Sequence, residues 1–163
     1  MQATKDTFYI ALRDRLVQVD PNLTILIDGV TRPAIVVTEN EPPSAQPRQD
    51  EAFYLDWGGA RTVQPATSTL MAMDCTISYT CSGQSDSGGV DRGRKLGALD
   101  ADLLAICAPQ QAHKNDYSSG SPVDFGSNIF WSAPRLDPLK VEAKQVGRQV
   151  PVTVFFYPEV NQQ

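Results

Sequence analysis

Residues 69–81 constrain the fold more than any other part of the chain. Odd positions in this run are mostly apolar, among them Met73, Cys75 and Ile77, whereas even positions such as Asp74 and Ser78 are small or polar. Alternation with a period of two predicts a strand with one face in a core and the other in water. At about 3.3 Å per residue the strand would reach about 40 Å. This is longer than ordinary strands, so we expect it to extend beyond the body of the domain.

Two other segments have helical spacing. In residues 4–19 apolar side chains recur every three or four positions, and Thr4 stands where an N-cap is expected. In residues 90–107 the side chains of Leu96, Leu99 and Leu103 fall on one face, and Pro109 ends the pattern. Each predicted helix therefore has one apolar face to bury.

The remaining regular patterns predict strands. Residues 23–38 hold two β-branched runs around Asp28-Gly29, a dipeptide that predicts a tight hairpin. Pro33 interrupts the second run, which indicates either an edge position or a strand that begins at Ala34. Residues 148–157 alternate again and predict a closing strand. Together the elements predict an α+β fold, in which a mostly antiparallel sheet carries two helices on one face.

Two long segments between these elements lack a clear period. Residues 39–63 and 109–128 are rich in polar residues, and the first also contains several prolines. We expect both to be long inserted loops, which in a compact domain are usually functional or disordered. The chain has 163 residues, and one domain typically takes ~100–200 residues. We therefore expect a single domain over residues 1–163.

The charge and the apolar content exclude several classes of protein. The chain has 19 acidic against 14 basic side chains and a net charge of −5, which disfavours a basic nucleic-acid binder. No apolar run approaches the ~18 residues of a membrane span. The first residues lack the charged and apolar regions of a signal peptide. These patterns predict a soluble protein of the cytoplasm.

The cysteine and histidine content predicts neither a disulfide framework nor a metal site. Cys75 and Cys81 would lie roughly 20 Å apart on one strand, which is too far for a disulfide. Reduced, buried thiols agree with a cytosolic setting. The sequence contains no CxxC pair and only one histidine, His113, so we expect no metal and no cofactor.

Catalysis would have to depend on His113. This residue lies in the second predicted loop, with no nucleophile elbow nearby, and we expect an ordinary solvated histidine. Gly88 and Gly93 have the spacing of a phosphate-binding loop. However, Arg94 and Lys95 replace the lysine and the hydroxyl residue that such a loop needs. A small cytosolic enzyme using His113 remains the alternative from a different class.

Charged residues at the start of the second helix are unusually placed. Arg92, Arg94 and Lys95 crowd its first turns, although the helix macrodipole favours acidic residues there. We expect these basic residues to answer an acidic partner, such as Asp50 and Glu51 in the acidic loop of a neighbouring copy. An ordinary solvated face with an imperfect charge pattern is the alternative.

Three aromatic residues in the first predicted loop also admit two interpretations. Phe53, Tyr54 and Trp57 lie close together in the sequence. They either fold back as a satellite cluster that pins the loop, or serve as anchors for another subunit, since aromatic residues dominate interface hot spots.

The order of the elements resembles that of the tail terminator proteins of long-tailed bacteriophages, including the related tail-to-head joining proteins. The resemblance is carried by the helix at 4–19, the hairpin at 23–38, the long strand at 69–81, the helix at 90–107 and the strand at 148–157. It covers most of the chain outside residues 39–63 and 109–128. The length of these two segments leaves another head–tail neck component open as an alternative.

The resemblance implies a structural protein of the virion and no enzymatic activity. Six copies would form a ring that caps the tail tube protein, ends its polymerisation and offers a surface to the head–tail connector or stopper protein. Genomic DNA would pass through the lumen without specific binding, because cations that neutralise phosphates are what retain DNA. The protein would be assembled in the host cytoplasm and would reside in the tail or neck of the virion, with no membrane partner.

Overall fold

A computed structural model describes residues 1–41, 48–64, 69–84, 88, 90–142 and 144–159 of the chain. Two helices and nine strands occur in these residues. The helices are α1 (Gln2–Val19) and α2 (Val90–Ile106). The strands are β1 (Thr24–Ile27), β2 (Val30–Pro33), β3 (Ile35–Val37), β4 (Phe53–Gln64), β5 (Leu70–Ser82), β6 (Gln111–Asp116), β7 (Val123–Trp131), β8 (Lys140–Val141) and β9 (Gln145–Phe156).

Seven of these strands form one sheet, in the order β3-β4-β5-β9-β7-β6, with β8 pairing with the start of β9. Only β3 and β4 run parallel, and every other neighbouring pair is antiparallel. The strands β1 and β2 form a separate hairpin. The predicted α+β class with a mostly antiparallel sheet is confirmed.

The long alternating strand is confirmed as β5 at the centre of the sheet. Its side chains alternate as predicted, with Cys75 and Ile77 fully buried and Asp74 exposed. It does not extend beyond the domain body, because β9 pairs with it from Met71 to Ser82. The extension predicted from its length is therefore wrong.

Both helices pack on the same face of the sheet and close one hydrophobic core. From α1 the core receives Phe8, Leu12 and Leu16, and from α2 it receives Leu96, Leu99, Leu103 and Ile106. Thr4 is not the N-cap, because α1 already begins at Gln2 and Thr4 is fully buried. Asp100 on α2 accepts a hydrogen bond from Arg148 on β9 (2.9 Å) and one from Tyr79 on β5, which ties this helix to the sheet.

The predicted hairpin forms between β1 and β2. Asp28 and Gly29 have φ values of 50° and 79°, as a tight turn with two left-handed residues requires. Pro33 is the last residue of β2, and the chain enters the main sheet two residues later as β3. The proline therefore marks the point where the chain leaves one sheet for the other.

The two predicted loops contain strands, which corrects the sequence analysis. In residues 39–63 a 3-10 turn at Thr38–Asn40 is followed by β4 from Phe53. In residues 109–128 the strand β6 and the first part of β7 form an antiparallel hairpin. Gly58-Gly59 interrupts the alternation of β4, and the register of β4 against β5 shifts between Trp57 and Ala60. The strand β6 is mostly polar because it lies at an edge of the sheet.

Candidate assembly surfaces

The carboxylate of Asp50 has hydrogen-bond partners within its own chain. Its carboxylate accepts hydrogen bonds from the hydroxyl groups of Thr80 (2.6 Å) and Ser82 and from the side-chain amide of Gln145 (2.9 Å). These donors lie on β5 and at the start of β9. Asp50 therefore fastens the segment before β4 to the end of the sheet.

Glu51 and Lys95 meet within one chain. The two charged groups are 2.8 Å apart, with each side chain a little less than half exposed. The hydrogen bond to the Glu51 carboxylate, together with its charge, raises the pKa of Lys95. Glu51 has a φ of 58°, and its N–H donates to the carbonyl oxygen of Thr80 (2.8 Å). The acidic partner expected for Lys95 on a neighbouring copy is thus provided by its own chain.

Arg92 and Arg94 have different surroundings although they are two residues apart. The stem of Arg92 lies against Gly83, where an added Cβ would stand 2.1 Å from Cγ of Arg92. Arg94 is exposed, as are Gly93 and Gly97 on the same helix. An added Cβ at either glycine would meet nothing within 4 Å. These glycines do not serve a close approach of α2 to its own sheet.

Phe53, Tyr54 and Trp57 lie on β4 and not on a loop, so neither interpretation of them as a group is correct. Phe53 is fully buried and packs edge-to-face on Tyr79, with ring centroids 5.3 Å apart. It therefore has no surface to offer another subunit. Trp57 is partly buried and packs edge-to-face on Phe8 of α1 (5.6 Å). Both residues belong to the main core.

Tyr54 points to the face of the sheet opposite the two helices. Its hydroxyl oxygen accepts the N–H of Gln49 (2.8 Å), and the guanidinium of Arg48 lies over its ring at 4.9 Å. Arg48 also pairs with Asp56 (2.8 Å). Arg48 and Tyr54 also line a groove of about 250 Å³ that extends over the sheet to Lys140.

His113 lies on β6 with its side chain 77% exposed, and its Nδ1 is 3.9 Å from a carboxylate oxygen of Asp124. It is solvated as predicted, although on a strand and not in a loop. Cys75, Cys81 and Cys107 are buried and free. Burial raises the pKa of the Cys107 thiol to about 12, and burial also raises the pKa of Cys75 and Cys81. These thiols are therefore poor nucleophiles in the folded protein.

Within the described ranges no group of three or more His, Cys, Asp or Glu side chains is placed to hold a metal ion. No helix in the same ranges has the length and apolar character to cross a membrane. The chain matches no protein-family model and no curated protein sequence. What it does must therefore be inferred from its own residues.

The edges of the sheet were not predicted from the sequence. β3 pairs with β4 only from Phe53 to Leu55, and beyond this point β4 is exposed from Gly58 to Val63. At the opposite end of the sheet, β6 has a strand partner on one side only among the described residues, and α1 contacts its other side at Asn115. Both edges lie in the segments predicted as loops. The only sequence signal was the short β-branched pair Thr62-Val63, which is too short to predict a strand.

Proposed function

We propose that this chain is a structural subunit of a long-tailed phage virion, which assembles into a hexameric ring at the head-proximal end of the tail tube. The supporting observation is the order of elements. Helix, hairpin, long central strand, helix and closing strand follow one another as in the tail terminator proteins that the sequence resembles, and the two helices, β5 and β9 share one hydrophobic core. The ring ends polymerisation of the tube protein and joins the tail to the head–tail connector.

Assembly into a ring needs two unlike, complementary surfaces on each subunit. The pair of Asp50 and Glu51 with Lys95 does not provide them, since these residues are engaged within the chain. Arg94 and Lys95 are both exposed, but Lys95 is paired with Glu51. The net charge of −5 suits a channel through which DNA slides, because few cations would neutralise its phosphates.

The test is the length of tail tubes polymerised from purified tube protein with and without this chain. We expect the chain to bind tube ends and to arrest growth, which gives short tubes of uniform length when it is added early. Tubes that grow unchanged, with no chain bound at their ends, would refute the proposal. Binding to the connector and not to the tube would favour the alternative, another neck component.

A further inference from the structure

Among the described residues, the part of β4 beyond β3 and the start of β6 each lie at an edge of the main sheet, and the two edges are at the same level along the strands. Going across the strands, Thr62 of β4 pairs with Met71 of β5, and Met71 pairs with Phe156 of β9. Phe156 in turn pairs with Ile129 of β7, and Ile129 pairs with Ala112 of β6. One continuous row of paired residues therefore begins at Thr62 on one edge and ends at Ala112 on the other.

The two edge strands also run in the same direction. From β4 to β6 the order is β4-β5-β9-β7-β6, and each of the four steps is antiparallel. An even number of reversals restores the direction. When copies are related by rotation about an axis along the strands, β4 of one copy therefore meets β6 of the next as a parallel pair.

On β6 the free backbone groups belong to Gln111 and His113. The N–H of Asn115 points away from β7, because it donates to the side-chain oxygen of Thr7 on α1 (3.1 Å). Backbone groups of alternate residues in a strand point to the same side. The register of β6 against β7 shifts between His113 and Asn115, but β7 leads to the same orientation. The N–H of Ser132 donates to the carbonyl oxygen of Thr153 on β9, so Ile129 faces β6 and its partner Ala112 faces β7. Gln111 and His113 therefore point outwards.

On β4 the free backbone groups near this level belong to Ala60 and Thr62. The carbonyl oxygen of Thr80 on β5 accepts the N–H of Glu51, so even-numbered residues of β5 face β4. Ala72 is one of them, and its partner is Arg61. Arg61 therefore faces β5, and its neighbours Ala60 and Thr62 face away from the sheet.

These two sets of groups fit a parallel ladder without any shift of register. In a parallel pair, a residue bonds to the residues before and after the one opposite to it. With Thr62 opposite Ala112 of the next copy, the N–H of Thr62 donates to the carbonyl oxygen of Gln111. The N–H of His113 donates to the carbonyl oxygen of Thr62. All the groups that this ladder needs point outwards.

The stretch proposed to pair on each edge has no lysine or proline of its own, although protective features stand beside it. The register of β4 shifts on both sides of residues 60–62, Lys114 on β6 is a buried charge, and α1 contacts the outer side of β6 at Asn115. Natural edge strands are commonly blocked by lysine, proline or inward-pointing charges. Residues 58–63 contain no lysine and no proline, and their one charged side chain, Arg61, is paired with Asp74. On β6 the residues Gln111, Ala112 and His113 contribute no fixed charge.

We propose that copies of this chain pair edge to edge, β4 of one copy adding to β6 of the next, so that the sheet continues around the ring. The partner is a second copy because the complementary edge, at the same level and in the required direction, lies on the same chain. The proposal rests on the ring of the proposed function and names the contact that builds it.

Two proline variants test the ladder. Thr62→Pro and His113→Pro each remove an outward N–H and leave every ladder hydrogen bond within the chain in place. Thr62→Ala and His113→Ala are the matched controls, since they remove the side chain and keep the amide. We expect both proline variants to keep the circular dichroism spectrum of the wild type but to run as monomers by size-exclusion chromatography with light scattering. Both alanine variants should form rings like the wild type.

A pair of cysteines tests the contact independently of whether proline is tolerated. In the double variant Thr62→Cys, Ala112→Cys the two thiols of one chain stand four strands apart, roughly 19 Å along the sheet. Across the proposed contact they face each other at about 4.8 Å between Cα atoms, which a disulfide can bridge. Mild oxidation should therefore give a ladder of covalent multimers on a non-reducing gel. Thr62→Cys alone should give none, because the three native thiols are buried.

The results separate this proposal from the proposed function. If the wild type forms rings and the proline variants form them too, the edge-to-edge contact is overturned and the ring stands. The same holds if the wild type forms rings and the double cysteine variant gives no covalent ladder. Edge-paired rings that never bind tail tubes would support the contact and refute the function. A wild-type chain that stays monomeric at every concentration would overturn both.

Discussion

Two buried threonines on α1 differ in whether their hydroxyl groups have a partner. Thr7 is almost fully buried, and its oxygen accepts the N–H of Asn115 on β6 (3.1 Å). Thr4 is fully buried as well, but its hydroxyl oxygen has no hydrogen-bond partner among the described residues. A buried polar group without a partner costs stability, and a partnered one does not.

Replacing each threonine by valine, which has a similar shape, shows whether its hydroxyl group has a hydrogen-bond partner. We expect Thr4→Val to raise the free energy of unfolding by about 1 kcal/mol, because a desolvated hydroxyl becomes a methyl group. Thr7→Val should lower it by about 1 kcal/mol, because the N–H of Asn115 loses its acceptor. Urea unfolding of the two variants beside the wild type measures both changes. Destabilisation by Thr4→Val would show that its hydroxyl group is bonded in solution.

A buried ion pair holds the chain that follows β9. Nζ of Lys114 lies 3.0 Å from Glu159 and also donates to the carbonyl oxygen of Tyr157, and the two side chains are 1% and 6% exposed. The N-terminal amine pairs with the other oxygen of Glu159 (3.1 Å). Burial by itself would raise the pKa of Glu159, but the hydrogen bond from Lys114 helps to bring it below the usual value.

This pair makes part of the stability depend on pH. Because the folded-state pKa of Glu159 is lowered, its contribution is present above the usual pKa of glutamate and is lost as the pH falls through the folded value. Glu159→Gln leaves Lys114 buried without a countercharge, so we expect a loss of about 3 kcal/mol at pH 7. Thermal unfolding from pH 7 to pH 3 should show the gap between wild type and variant closing towards the acid end. A gap that is constant with pH would contradict this role of the carboxylate.

At the scale of elements, the approach of β9 to β5 depends on Gly147. A Cβ added at Gly147 would lie 2.5 Å from the carbonyl oxygen of Tyr79 and 2.8 Å from a methyl group of Thr80. The central pair of strands would have to separate to make room for it. Gly97 on α2 is the opposite case, since an added Cβ there meets nothing.

Alanine at the two glycines should therefore have opposite effects. We expect Gly147→Ala to lower the free energy of unfolding by about 2 kcal/mol through overpacking. Gly97→Ala should raise it by up to about 1 kcal/mol, because alanine is the better helix former. Denaturant titrations of both variants measure the changes. Equal tolerance of alanine at the two sites would mean that β5 and β9 are not as close at Gly147 as described.

The elements that could be predicted from the sequence are those with a strong period. Both helices, the β1–β2 hairpin, β5 and β9 have apolar side chains at regular spacing because each buries one face. β4 was missed because Gly58-Gly59 shifts its register, so that the alternation before the bulge does not continue after it. β6 was missed because an edge strand needs few apolar residues. Four of its six residues are glutamine, lysine, asparagine and aspartate, and a fifth is histidine.

The partner of the basic residues at the start of α2 could be predicted only in part, for a related reason. Arg92, Arg94 and Lys95 were expected to answer an acidic partner, but charge alone does not say which chain provides it. For Lys95 the partner is Glu51, whose position two residues before β4 brings it to Lys95. Since that strand was not predicted, the pair was assigned to two copies of the chain and not to one.

In the whole molecule, both helices cover one face of the sheet, and the edge strands β4 and β6 run in the same direction at the same level. A subunit of this kind can add copies in one direction, and it forms a closed ring when the rotation between copies closes. Asp50, Glu51 and Lys95 are bonded within one chain, so they do not supply the contact between copies that was expected of them. The pairing proposed between the edges of β4 and β6 replaces it with a backbone contact whose specificity comes from level and direction.

Ring formation by the purified chain can be seen by negative-stain electron microscopy over a range of concentrations. We expect class averages of a six-fold ring with a central hole wide enough for duplex DNA. Particles of monomer size at every concentration, with no closed ring, would contradict this expectation.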